Sequence, residues 1–277
     1  YLIVCSVVNI ILDLLLILVI PLGVLGAAIA TLIAQAVSAV LVTVTLMYRT
    51  EGMKLCLSQI RMYKRMLQSI LKIGLPAGFE AIMYSISNII VQVSINNFGV
   101  DTMAAWTAYS KIDFIFWMIN SAFGISVMTF VGQNYGAGKW DRIRRGTKIC
   151  LGMALISAVS VSIILMSAER FLFGIFVNDA GVVEIGIRMM NVIAPAYLLF
   201  AFIEVFSGAL RAQGAVVVST LITMVGICVL RMIWVTLVAA HGTLEQVIIC
   251  YPITWAAGAL AMSIYYIYKQ RKIFQAR

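Results

Sequence analysis

Eight stretches of this sequence run for about twenty residues or more almost without charge, roughly 1–20, 23–48, 73–98, 103–132, 147–168, 183–210, 214–240 and 245–268. A bilayer core of about 30 Å needs about 20 apolar residues to be crossed as a helix. Within hydrocarbon every backbone amide must bond inside its own segment, which leaves the α-helix as the form these runs can take. Soluble domains are about half apolar and a quarter charged. Here 63% of the residues are hydrophobic and 11% charged, too little charge to wet the outside of a globule. The chain is read as an all-α polytopic membrane protein with eight transmembrane helices.

The charge that remains is sorted by side. Arg49, Lys54, Arg61, Lys64, Arg65 and Lys72 lie between the second and third spans, and Lys139, Arg142, Arg144, Arg145 and Lys148 between the fourth and fifth. Arg211 joins the sixth and seventh, and Lys269, Arg271, Lys272 and Arg277 form the tail, so 16 of the 20 cations share one side. The opposite joints hold Asp101, Glu169, Asp179, Glu184 and Glu245, with Arg170. Cytoplasmic loops are the basic ones, which places the tail inside and sends the first span outward. The net charge of +9 is thus a membrane-facing rim, with no nucleic-acid partner implied.

Residues 49–72 form the one real linker. Met62, Met66, Leu67, Ile70 and Leu71 recur at helical spacing among its cations, as in an amphipathic helix lying on the inner surface between two bundles. The five cysteines are scattered through mostly apolar runs, and His241 sits in a loop, so neither a disulfide framework nor a metal site is expected. The chain opens on Tyr1 directly into an apolar run, as expected if N-terminal helices of the same protein precede it. The first and last hairpins resemble each other: Asp13 precedes the turn glycine Gly23 by ten positions, and Arg231 precedes Gly242 by eleven. Both run outward and back, a parallel repeat of the kind transporters use.

Ionisable groups at bilayer depth cost at least about 2.5–3.5 kcal/mol each, so they face a cavity or a partner. Asn9 and Asp13 are one turn apart, and Asp13 and Thr31 each lie nine residues from the hairpin tip at Leu22, about 13 Å along the axis. Three oxygen-bearing side chains therefore reach one depth, where they suit a proton or hard cation or an interhelical hydrogen-bond clamp. Glu80, Tyr84, Asn88, Gln92 and Asn96 follow at strict four-residue spacing in the third span, a row that must face water, substrate or the bundle interior. Ser110, Asp113, Trp117, Asn120 and Gly124 make a similar stripe in the fourth. An acid among aromatics suits organic cations, although Trp117 taken alone reads first as an ordinary packing ring. Asp113 has Lys111 or Arg231 as possible ion-pair partners, and Glu204 has Arg231 or Arg211. A structural pair and a coupling role stand open for each.

Asn9 to Asp13, Pro21 to Thr31, Gly74 to Glu80, Phe130 to Gly138 with the basic run after it, and Gly208 to Gly214 together resemble the multidrug and toxic compound extrusion (MATE) family of antiporters. The matches come in the family's order and cover nearly the whole chain. The resemblance implies helices five to twelve of a twelve-helix, two-lobe transporter: 1–48 the last two helices of the N-lobe, 73–268 a six-helix C-lobe, and 269–277 the tail. It also implies that Asn9, Asp13 and Thr31 belong to the N-lobe cation or proton site, completed by an acid in the first helix. This chain departs from the family in having Leu14 where many members carry proline after the acid. The slots associated with C-lobe sodium binding hold Tyr84 and Phe200, each a turn from Glu80 and Glu204.

The expectation is a cation-coupled antiporter in the plasma (inner) membrane, exporting drugs and organic cations, with H⁺ or Na⁺ as coupling ion and no cofactor. Asn9, Asp13 and Thr31 would couple. Glu80, Tyr84, Asn88, Gln92, Asp113, Trp117, Asn120, Glu204 and Arg231 would line a substrate cavity or second cation site. Its partners would be membrane lipids and small organic substrates. The alternative is a lipid-linked oligosaccharide flippase of the same superfamily, which would favour a larger basic cavity. A membrane-embedded enzyme would need converging catalytic groups, and no His/Cys/Asp cluster is present.

Overall fold

The computed structural model describes residues 2–48, 54–56, 58, 60–238 and 242–275; Arg49, His241 and Arg277 lie outside them. Eight helices are long and apolar enough to cross a membrane, and no strand occurs among the described residues. Contacts divide the chain into two units, Tyr1–Leu67 and Gln68–Arg277.

The first unit is a helical hairpin. Helix α1 (Leu2–Leu14) passes into a π-helical turn, Leu15–Val19, and α2 runs over Gly23–Tyr48. Gly23 takes φ +54° at the bend, a conformation that side chains other than glycine's rarely adopt. The hairpin closes along a stripe of small residues, Gly26, Ala30 and Ala34, which are the buried residues of α2. A Cβ on Gly26 would stand 2.8 Å from the Leu16 carbonyl oxygen. Large apolar side chains such as Leu2, Ile3, Val24 and Leu32 are exposed on the hairpin's outside, as lipid contact requires.

The second unit is a bundle around a buried helix. Helix α3 (Lys64–Asn96) begins before the expected start of its span, so residues 64–72 open this helix and do not form a separate surface one. It carries Pro76 in its interior. Helices α4 (Val100–Gly136) and α5 (Trp140–Ser167) are followed by short α6 (Glu169–Gly174). The sixth span is two helices, α7 (Ala180–Ile193) and α8 (Tyr197–Ala212), joined by a 3₁₀ turn over Ala194–Ala196 that accommodates Pro195. The seventh is equally irregular: α9 (Val216–Thr223), a π turn over Met224–Val229, α10 (Leu230–Ile233) and a second π turn over Trp234–Val238. Helices α11 (Leu244–Ile248) and α12 (Cys250–Gln275) complete the chain. α4 is 37 residues long, about 55 Å at 1.5 Å per residue, so it extends beyond the hydrocarbon or crosses it at a tilt.

Buried along most of its length, α8 is the centre of this unit and packs against α4, α5 and α12. Its approach to α4 depends on two glycines. A Cβ on Gly208 would sit 2.8 Å from both the Gly124 carbonyl oxygen and Val127 Cγ1, and one on Gly124 would run into the Glu204 carboxylate. In a membrane, where lipid tails are as apolar as leucine, such close backbone approach is a main source of helix association. Gly208→Ala should therefore destabilise the bundle by about 1–3 kcal/mol, the usual cost of overpacking. A thermal melt in detergent reads this as a lower Tm; an unchanged melt would show that α4 and α8 are not tightly apposed.

Candidate functional site

The polar row of α3 and the polar stripe of α4 face a common interior. Tyr84, Asn88 and Gln92 from α3 line a cavity of about 520 Å³ together with Ser110, Asp113 and Trp117 from α4. Its remaining wall is largely aromatic and includes Trp106, Tyr109, Tyr251 and Trp255. Gln92 also donates to Asn96 Oδ1 at 2.8 Å within α3. Asn120, one turn beyond Trp117, is buried at 4% exposure and is not among the cavity-lining residues.

Asp113 takes two hydrogen bonds, from Trp117 Nε1 on its own helix (2.5 Å) and from the Tyr197 hydroxyl (2.5 Å). The Tyr197 hydroxyl lies 3.1 Å from that of Tyr109, which extends the network along α4. Neither Lys111 nor Arg231 forms an ion pair with Asp113 among the described residues. The carboxylate is held by neutral donors. Trp117 stacks edge-on against Phe200 and Trp255, at 4.7 and 6.0 Å between centroids, and so orients the acid while packing the core. Tyr197 opens α8 just after Pro195; sequence reading missed it, because nothing local marks that phenol as the partner of an acid 84 positions earlier.

A second, smaller cavity of about 280 Å³ lies against Glu80, Tyr84, Gly124, Glu204 and Arg211. Arg211, expected as a loop cation, belongs to the last turn of α8. It donates through Nη2 to both Glu80 oxygens, at 2.7 and 2.8 Å, while the Thr220 hydroxyl adds a third bond at 3.0 Å. Glu204 lines the same cavity and makes no ion pair among the described residues. Arg231 is fully buried, with Nη1 donating to Asn88 Oδ1 at 3.1 Å and the guanidinium 4.2 Å above the Tyr251 ring.

In the first unit, Asn9 and Thr31 line a cleft of about 170 Å³. Asp13 is half-buried one turn from Asn9. Asp13 Oδ1 and Asn9 Nδ2 are buried atoms without a hydrogen-bond partner. The Thr31 hydroxyl bonds its own helix, at Ala27 O, 2.9 Å away. An interhelical clamp among the three is therefore not formed. In place of the proline that the resemblance led one to look for, the helix distorts after Asp13 through the π turn Leu15–Val19. The corresponding hairpin of the second unit distorts the same way just after Arg231, which strengthens the internal repeat. No group of three or more His, Cys, Asp or Glu that could hold a metal occurs among the described residues.

The Glu80–Arg211 pair ties α3 to α8 with side chains 14% and 29% exposed. Arg211→Met leaves a mostly buried carboxylate with its charge unpaired and the Thr220 hydroxyl as its remaining donor, and should cost about 1–3 kcal/mol. Adding Glu80→Gln should recover part of the loss, since the uncompensated charge is then gone. Equal or greater damage in the double variant, measured by thermal unfolding, would refute the pairing as the cause.

Residues 76–237 match the MatE family model. Among curated relatives, the "Probable multidrug resistance protein YoeA" of Bacillus subtilis is 27% identical over 260 residues, covering 91% of this chain and 56% of that protein. The "Multidrug export protein MepA" of Staphylococcus saprophyticus is 25% identical, with coverages of 84% and 54%. The chain thus spans a little over half the length of these relatives. Among solved structures, an outward-facing multidrug resistance MATE family transporter of the MOP superfamily superposes with a TM-score of 0.88 at 19% identity, over 98% of this chain and 61% of that one. A crystal structure of MATE in complex with MaL6 gives 0.89 at 18% identity, with coverages of 98% and 62%. At such identities these structures show a shared fold.

Proposed function

The chain belongs to the MatE family, and from that premise we propose that the protein exports small organic cations in exchange for H⁺ or Na⁺ by alternating access. The observation that carries this reading is Asp113, an acid lining a 520 Å³ cavity among Trp106, Trp117, Tyr109, Tyr251 and Trp255. A cationic amphiphile gains Coulomb attraction from the carboxylate and cation–π attraction from the rings. The relatives named above are multidrug resistance and export proteins, which supports the same substrate class. The flippase alternative gains no support: the cavity wall is acidic and aromatic, and Arg231, the one fully buried cation among the described residues, is not among its lining residues.

Coupling is assigned to Asn9, Asp13 and Thr31. Asn9 and Thr31 line one cleft of the hairpin, and the unpartnered Asp13 Oδ1 has bonding capacity left for a cation or a proton. Binding at Asp13 drives exchange only through different affinity in the outward and inward states. The cation-rich connections support a tail on the cytoplasmic side of the membrane, and the plasma membrane is the location that an export role calls for.

In the full-length protein, Asp13→Asn should abolish drug efflux at unchanged membrane abundance. Vesicles with separately imposed sodium and pH gradients identify the ion, and undiminished efflux in the variant would sink the coupling assignment. Asp113→Asn should weaken tetraphenylphosphonium binding about tenfold, or about 1.4 kcal/mol. Wild-type affinity in that variant would remove Asp113 from the substrate site.

A further inference from the structure

Arg231 is the charge in this molecule that the export reading leaves without a task. Its side chain is fully buried in the second unit, and no carboxylate pairs with it among the described residues. Its one hydrogen-bond acceptor is a neutral amide, Asn88 Oδ1, at 3.1 Å. The ring of Tyr251 covers it at 4.2 Å and that of Tyr84 stands at 5.8 Å. Arginine nitrogens Nε and Nη2 remain buried without a partner, as do the Tyr84 hydroxyl and Trp255 Nε1. Four hydrogen-bond-donating groups and a full positive charge thus share one region, with no anion to answer them. Buried charges are normally paired, and buried donors normally bonded; a planar guanidinium with adjacent free N–H groups matches a carboxylate.

The surroundings give such an anion a way in. Asn88, which bonds Arg231, and Tyr84 and Tyr251, whose rings stand against it, all line the 520 Å³ cavity, so the guanidinium lies next to residues of its wall. The Asn88 amide holds Nη1 and leaves the Nε–Nη2 edge free, so turning that amide aside would open a way from the cavity to this edge. The backbone around Arg231 is built unlike an ordinary helix. π turns over Met224–Val229 and Trp234–Val238 bracket it, and such turns concentrate at functional positions.

We propose that Arg231, with Tyr84 and Trp255, forms an anion-binding subsite in the wall of the C-terminal unit's cavity, taking a carboxylate that displaces the Asn88 amide. Asp113 and Arg231 then give one cavity two poles, and the subsite admits either the acid end of a zwitterionic amphiphile or a free small anion. It uses the same cavity as the export reading but depends on neither export nor the coupling ion.

The test is equilibrium binding of radiolabelled benzoate to the full-length protein in nanodiscs, with benzamide, chloride and tetraphenylphosphonium as companions. Wild-type protein should bind benzoate saturably and ignore benzamide, its uncharged isostere. Chloride competition as strong as that of unlabelled benzoate assigns the subsite to free small anions, and weak competition assigns it to organic carboxylates. Arg231→Gln should raise the benzoate Kd at least tenfold. Asn88→Asp is the second variant, because it supplies Arg231 with an internal carboxylate: it should melt at or above the wild-type temperature and also lose benzoate at least tenfold. Tetraphenylphosphonium binding without saturable benzoate binding in the wild type would overturn the subsite while leaving the export reading intact. Undiminished benzoate affinity in a folded Asn88→Asp protein would overturn it as well.

Discussion

Hydrocarbon offers no hydrogen bonds, and the arrangement of this protein's interior follows from that. An ionisable group carried to bilayer depth is costly unless another part of the chain or a ligand answers it. In the second unit the answers are specific: Glu80 by Arg211 and Thr220, Asp113 by Tyr197 and Trp117, Arg231 by Asn88. The Glu80 and Asn88 bonds fasten α3 to α8, α9 and α10, and the Tyr197 bond fastens α4 to α8. The polar row that α3 cannot show to lipid is therefore also its attachment to the bundle.

Apolar packing completes what these bonds begin. Rings from α4, α8 and α12 meet around Trp255, which touches Trp117, Tyr197, Phe200 and Tyr251. Three of these rings, Trp117, Tyr251 and Trp255, also line the cavity. A cavity wall made from core residues is stiff, so the acid that Trp117 and Tyr197 hold is set in place before any ligand arrives. The close contact of Gly124 with Gly208 brings α4 and α8 near enough for the Tyr197 bond to reach.

Much of this was legible in the sequence. Span positions followed from apolar run length. Of the four-residue row from Glu80 to Asn96, Tyr84, Asn88 and Gln92 line a cavity, whereas the buried face of α3 is that of Ser87, Val91 and Ile95. The alignment of Asp13 with Arg231 held up in an unforeseen way, since both helices distort just beyond these residues. Partner choice was not legible. Lys111 and Arg231 were natural guesses for Asp113 by charge, but neutral donors hold it, because ring placement depends on how α8 restarts after Pro195. Arg211 read as a loop residue because helix ends are poorly marked when the apolar run simply stops. The π turns left no trace at all: they alter hydrogen-bond register and leave hydropathy untouched.

Those π turns carry a mechanical consequence. A π turn holds one more residue than the α-helical ladder can register. When it migrates along a helix it creates and removes bonds in equal number. Each residue it passes is turned by about one residue's worth of rotation, about 100°. The short segment Leu230–Ile233 lies between two such defects, so a shift of either one along the chain would turn it about its own axis. Motion of this peristaltic kind re-aims a single side chain without opening a hinge.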